Sequence, residues 1–177
     1  MYIMTKQTKT ISMAILCCVL AVISSCHRGA TVTGGNCPGA IIATWKVDGT
    51  SYQSSTSSTS YNAGSSFSLT LAACVPNGTA DRTISFEVLQ NLQVGTYPLR
   101  WKMLHANRPN GYSGADYLIT NGGSYFTDSV SNTGVLNITA VNTTAKTFSG
   151  NFEFTAADDA GTGIVHITDG TLTNIPY

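Results

Sequence analysis

Apolar residues recur at every second position along most of this chain, the pattern of strands that bury one face and wet the other. Ile41, Ala43, Trp45 and Val47 alternate with Ile42, Thr44 and Lys46. Asp48-Gly49 then supplies the positive-φ pair of a tight hairpin turn ahead of Ser51-Tyr52. Phe67, Leu69 and Leu71 form the next alternating set, Asn77-Gly78 reads as a turn, and Ile84, Phe86 and Val88 follow. Tyr97, Leu99, Trp101 and Met103 predict a strand through mid-chain, and Tyr117 and Ile119 lead into a turn at Asn121-Gly122-Gly123 before Tyr125. Leu136, Ile138 and Ala140 continue the series, then Phe148, Phe152 and Phe154, then Val165 and Ile167. Gly170 predicts a bulge rather than a turn, because Leu172 resumes the strand. The expected fold is all-β: a single antiparallel β-sandwich or flattened barrel, mostly meander-connected. The Ser54-to-Ser60 tract reads as a hydroxyl-rich loop or an edge strand.

Residues 1–25 break the pattern. Lys6 and Lys9 precede an apolar run from Ile11 to Ile23, and Ser24-Ser25 follow it. A basic start, an apolar stretch and small residues are the order of a secretory signal. The run is too short for a hydrocarbon core, which takes roughly 20 apolar residues. Cys26 directly after Ile23-Ser24-Ser25 resembles the lipobox of bacterial lipoproteins, whose cysteine is acylated and becomes the first mature residue. The chain therefore divides into a lipoprotein signal peptide (1–25), a tether (26–39) and an antiparallel β domain (40–177). The implied contact with a membrane is through lipid. Several acyl chains at about 0.8 kcal/mol per buried methylene hold a protein stably on a bilayer.

Composition narrows the function classes. The whole chain has nine basic and nine acidic residues. Removing Lys6 and Lys9 with the signal leaves the domain slightly acidic, without the basic stripe that nucleic acid requires. Cys17 and Cys18 leave with the signal and Cys26 takes the lipid, so Cys37 and Cys74 remain in a compartment that permits disulfides. Two separate thiols are the alternative to a bridge. A bridge closing the loop between them would contribute about 3–4 kcal/mol in the chain-entropy model.

Candidate chemistry is thin. His27 belongs to the tether, His105 starts a long loop and His166 lies on a strand face; their spacing does not assemble a metal site, and no cofactor is expected. Asp158-Asp159 reads as a turn in which aspartate caps backbone amides, not as a catalytic carboxylate pair. A calcium loop would need alternating oxygen ligands that this segment lacks. No Gly-x-Ser-x-Gly elbow singles out a nucleophile, so catalytic residues are not expected. The best candidate binding loop runs from residue 105 to 115, where His105, Asn107, Arg108, Asn110 and Tyr112 could grip a sugar or a peptide. Asp128-Ser129-Val130 matches an acidic–hydroxyl–aliphatic triplet used in bacterial O-glycosylation, which makes Ser129 a candidate modification site. Asn77, Asn137 and Asn142 sit in Asn-x-Thr sequons that carry little meaning in a bacterial envelope.

Trp45-Lys46-Val47-Asp48-Gly49, Gly95-Thr96-Tyr97, Phe148 to Phe154 and Ile167-Thr168-Asp169-Gly170-Thr171-Leu172 occur here in that order. Together they resemble a family of small β-rich lipoproteins of Bacteroidetes type whose function is uncharacterised. The resemblance implies the β fold and the lipid anchor and brings no catalytic or binding residues with it. A lipocalin is a poorer match, because Ala43 stands where the glycine two residues before the first-strand tryptophan is usual. The function expected is a non-catalytic, lipid-anchored envelope protein whose β domain binds a protein or glycan partner. The alternatives are a small-ligand carrier with a barrel interior lined by Trp45, Tyr97, Trp101 and the phenylalanines, and an envelope hydrolase. His27-Arg28-Gly29-Ala30 after the cysteine is neither acidic, as in surface-exported lipoproteins of such bacteria, nor an aspartate retention signal. That pattern predicts the outer membrane, with the domain facing the periplasm.

Overall fold

A computed structural model describes residues 37, 39–62, 65–74, 81–101, 113–128, 131 and 133–177. The chain is all-β, with eleven strands and no helix among the described residues. In chain order these are β1 (Ala43–Val47), β2 (Thr50–Ser54), β3 (Ser57–Asn62), β4 (Ser66–Ala72), β5 (Arg82–Val88) and β6 (Gly95–Leu99). They are followed by β7 (Ser113–Ile119), β8 (Ser124–Phe126), β9 (Gly134–Asn142), β10 (Thr147–Ala157) and β11 (Ile164–Pro176).

The sheet runs β2-β1-β11-β10-β9-β6-β7-β5-β4-β3. Its two ends are consecutive in the chain, separated only by Ser55 and Thr56. β2 and β3 are thus two halves of one bent strand, the first paired with β1 and the second with β4. The sheet closes into a barrel, and β8 lies off the main path between β7 and β10. Closure removes the free edges that an open sheet would expose. Ser54 makes the corner: it is fully buried, and its hydroxyl lies 2.6 Å from the Ala72 carbonyl and 2.7 Å from that of Thr56. Across the seam, the Cys74 amide donates to the Gln53 carbonyl at 2.7 Å. The hydroxyl-rich tract is therefore strand rather than loop: Ser54 turns the chain from β2 into β3, which pairs with β4 at the end of the sheet path.

Hairpins connect β1–β2, β3–β4, β9–β10 and β10–β11, while β1 also pairs with β11 and joins the two ends of the domain. One contact is parallel, between Leu99 of β6 and Ser113 of β7. β6 is shorter than its alternation predicts. It stops at Leu99, which faces Gly134, the first residue of β9. Trp101 lies past the strand in a bend and Met103 lies outside the described residues. Ile41 also falls outside β1 and is 38% exposed.

One continuous core fills the barrel. Phe67 of β4 meets Phe148 of β10 and Tyr97 of β6, with ring centroids 6.0 and 5.7 Å apart. Phe86 of β5 meets Phe152 and Phe154 of β10 at 4.9 and 6.0 Å. β4 and β5 stand opposite β10 around the ring, so these aromatic edges cross the interior and draw the two walls together. Leu69, Leu71, Ile84, Leu99, Leu136 and Ile138 complete the filling, each with no exposed surface. The alternation of each strand is what sends these residues to one face.

β11 carries the bulge that Gly170 predicts. Thr44 pairs with Thr171 and Lys46 with Thr168, so Trp45 faces Asp169 and Gly170 together. Asp169 is in the left-handed region at φ 52°, in mid-strand. A Cβ at position 170 would run into the carbonyl and ring of Phe152, so only glycine fits there.

Candidate functional site

Two depressions mark the outside of the barrel among the described residues. The first, about 440 Å³, lies where β1, β2 and the β11 bulge meet. The strand positions of Trp45 and Tyr52 border it, but their side chains turn to the inner face of the sheet, where this cross-strand pair stacks at 6.2 Å and 22°. On the outer face its walls carry Thr44, Lys46, Ser51, Gln53 and Asp169, with Cys74 at one edge. The bulge re-aims Asp169 toward Lys46, and the two pair at 2.9 Å. Both side chains are well exposed, so the pair contributes at most about 1 kcal/mol to folding. Thr44 and Thr171 share a hydrogen bond of 2.7 Å beside it.

Tyr52 is held on the inner face of the sheet. The Arg82 guanidinium sits 5.0 Å from its ring centroid and donates to the Tyr117 hydroxyl at 2.9 Å. That bond to Tyr117 holds Arg82 protonated above its ordinary range, against a smaller opposing effect of burial. Burial raises the Tyr117 phenol, and the Arg82 bond partly offsets it. Trp45 is 2% exposed, and its indole Nε1–H has no acceptor among the described residues. A buried donor left unpaired costs about 1–3 kcal/mol.

The second depression, about 410 Å³, lies on the outer faces of β6, β9, β10 and β11. Arg100, Glu153 and His166 border it, and the His166 Nδ1 lies 3.1 Å from the Thr155 hydroxyl. It has no tyrosine or tryptophan in its lining.

Cys37 and Cys74 form a disulfide with Cα atoms 5.4 Å apart. It fastens the start of the domain to the residue whose amide closes the β2 seam. Asp158 caps its turn: its carboxylate accepts the Thr162 and Gly163 amides at 2.9 and 3.0 Å. These bonds, the Thr162 amide foremost, hold its carboxyl below the ordinary range. A depressed folded pKa contributes stability above the unfolded value, near 4, and the contribution vanishes as pH falls through the folded one. Asp158→Ala should therefore lower the thermal midpoint at neutral pH and narrow its gap to the wild type near pH 2. An equal gap at both pH values would contradict the capping role.

Cys26, the loop residues His105, Asn107, Arg108, Asn110 and Tyr112, and the candidate glycosylation residue Ser129 all lie outside the described residues. The first depression was not among the expected sites. Lys46 and Asp169 are too far apart in sequence to suggest a pair, and the Gly170 bulge was the one signal that pointed there.

Fold and surface together define an all-β barrel with a filled core and shallow depressions on its outside. The chain belongs to a family described as a domain of unknown function (DUF6252), matched over residues 43–176. No curated protein and no solved structure matches the chain.

Proposed function

We propose that this chain is a lipid-anchored protein of a bacterial cell envelope, of Bacteroidetes type, held by acylation of Cys26. Its barrel acts as a non-catalytic module that binds a partner or polymer. The observation that carries the reading is the order Lys6, Lys9, apolar run, Ile23-Ser24-Ser25-Cys26. The Cys37–Cys74 disulfide supports an oxidising compartment. The aromatic contacts across the interior favour binding at the outer surface over carriage of a ligand inside. The tether His27-Arg28-Gly29-Ala30 favours the outer membrane with the barrel facing the periplasm.

Cys26→Ser tests the anchor. The variant should move from the membrane fraction to the soluble fraction or remain unprocessed, and unchanged detergent partitioning would refute the reading. Protease added to intact cells should spare the wild-type barrel and reach it once the outer membrane is opened. Digestion on intact cells would place the barrel outside.

A further inference from the structure

We infer that the wall of the barrel at the Ser54–Cys74 corner faces the membrane, and that the opposite wall, β6 and β9, faces away from it. The inference rests on acylation of Cys26 and adds an orientation to that reading.

The chain joins the barrel at this corner and is fixed there twice. Cys37 is bonded to Cys74. The Ile42 amide then donates to the Ser54 carbonyl at 2.9 Å, and the Thr173 amide donates to the Ile42 carbonyl at 2.8 Å. The two attachments adjoin, because the Ser54 hydroxyl donates to the Ala72 carbonyl and the Cys74 amide to the Gln53 carbonyl. β2 and β3 are the two ends of the sheet path and meet at this corner, so β9 and β6, at the middle of the path, stand half-way round. Neighbouring strands about 4.8 Å apart and tilted by about 40° make a ring of this size about 20 Å across, backbone to backbone.

Tether length decides which wall faces the lipid. Cys37 lies 37 − 26 = 11 residues beyond Cys26. A chain of that length averages about 18 Å between its ends and cannot exceed about 40 Å. The core is filled, so the tether has to run outside the barrel. With the corner down it needs no stretching. With β6 and β9 down it would have to pass half-way round a domain about 35 Å across, a path of about 55 Å. That exceeds its reach. Without the disulfide the tether would run on to Ile42, 42 − 26 = 16 residues, with a limit of about 55 Å. The Cys37–Cys74 bond therefore removes the slack that would let the barrel roll over.

This orientation sorts the two depressions. The first has Cys74 at its edge and turns toward the lipid. The second spans the outer faces of β6, β9, β10 and β11 and is the one open to a partner arriving from solution.

The test uses the mature acylated protein on vesicles of phosphatidylethanolamine and phosphatidylglycerol that carry an acceptor-labelled lipid. A donor dye is attached through an azide-bearing residue at Thr56, beside the corner, or at Thr96 on β6; both positions are exposed. Circular dichroism checks that each labelled protein is folded, and flotation checks that it is anchored. Energy transfer should place Thr96 about 10–20 Å farther from the lipid than Thr56. Inserting about 30 glycine and serine residues between Gly34 and Gly35 should abolish that difference, because the longer tether reaches half-way round.

Equal transfer from the two positions, or stronger transfer from Thr96, would overturn the orientation and leave the lipid anchor standing. A difference that survives the insertion would overturn the tether as its cause. Failure to float, with an unmodified Cys26, would remove the anchor and the orientation with it.

Discussion

Phe86→Ala should destabilise the barrel by about 3–5 kcal/mol, in the range for truncating a buried aromatic. Phe86 has no exposed surface, and its ring meets Phe152 and Phe154 from the opposite wall. Truncation leaves a void where two walls are held together, and neither wall can collapse into it without bending strands that are hydrogen-bonded on both sides. Leu69→Ala on the neighbouring strand should cost about 2–5 kcal/mol by the same mechanism. A domain of this size holds only about 5–15 kcal/mol in total, so Phe86→Ala removes a large share. Urea denaturation measures it. A loss under about 1 kcal/mol would mean that the interior relaxes freely and is not packed across as described.

Removing the disulfide with Cys37→Ala and Cys74→Ala together should cost about 3–4 kcal/mol. The bridge spans a separation of 37 residues, and the denatured chain regains the freedom of that loop. A second consequence is local. The Cys74 amide holds the Gln53 carbonyl at the seam, and Gln53 lines the first depression. Hydrogen exchange at Cys74 or its replacement should quicken more than at Leu69 in the core. Denaturation of oxidised and reduced wild type should show the same difference in stability as the double variant. An unchanged urea midpoint would contradict both the bridge and its role.

The strands were legible because a closed barrel buries only one face of each, and alternation reports that face directly. Parity alone turns Trp45, Phe67, Phe86 and Phe152 inward, and all are buried. Gly170 was legible as a bulge because apolar residues resume on its far side. Closure was not legible. It depends on Ser54, a polar residue that turns one strand into two pairings, and nothing local distinguishes its corner from a loop. The end of β6 at Leu99 is not legible because Trp101 keeps the apolar parity past the residue that faces the start of β9. The candidate site was legible least of all. Its residues come from strands at opposite ends of the chain, and Thr44, Lys46 and Ser51 look like an ordinary wet face until β11 is laid beside them.

The most direct measurement of the central claim is the mass of the N-terminal peptide of the native protein, taken from the membrane fraction. The account predicts a mature chain beginning at Cys26 and carrying a diacylglycerol, with an amide-linked acyl chain in addition. A native chain that begins elsewhere, or that carries an unmodified Cys26, would contradict it.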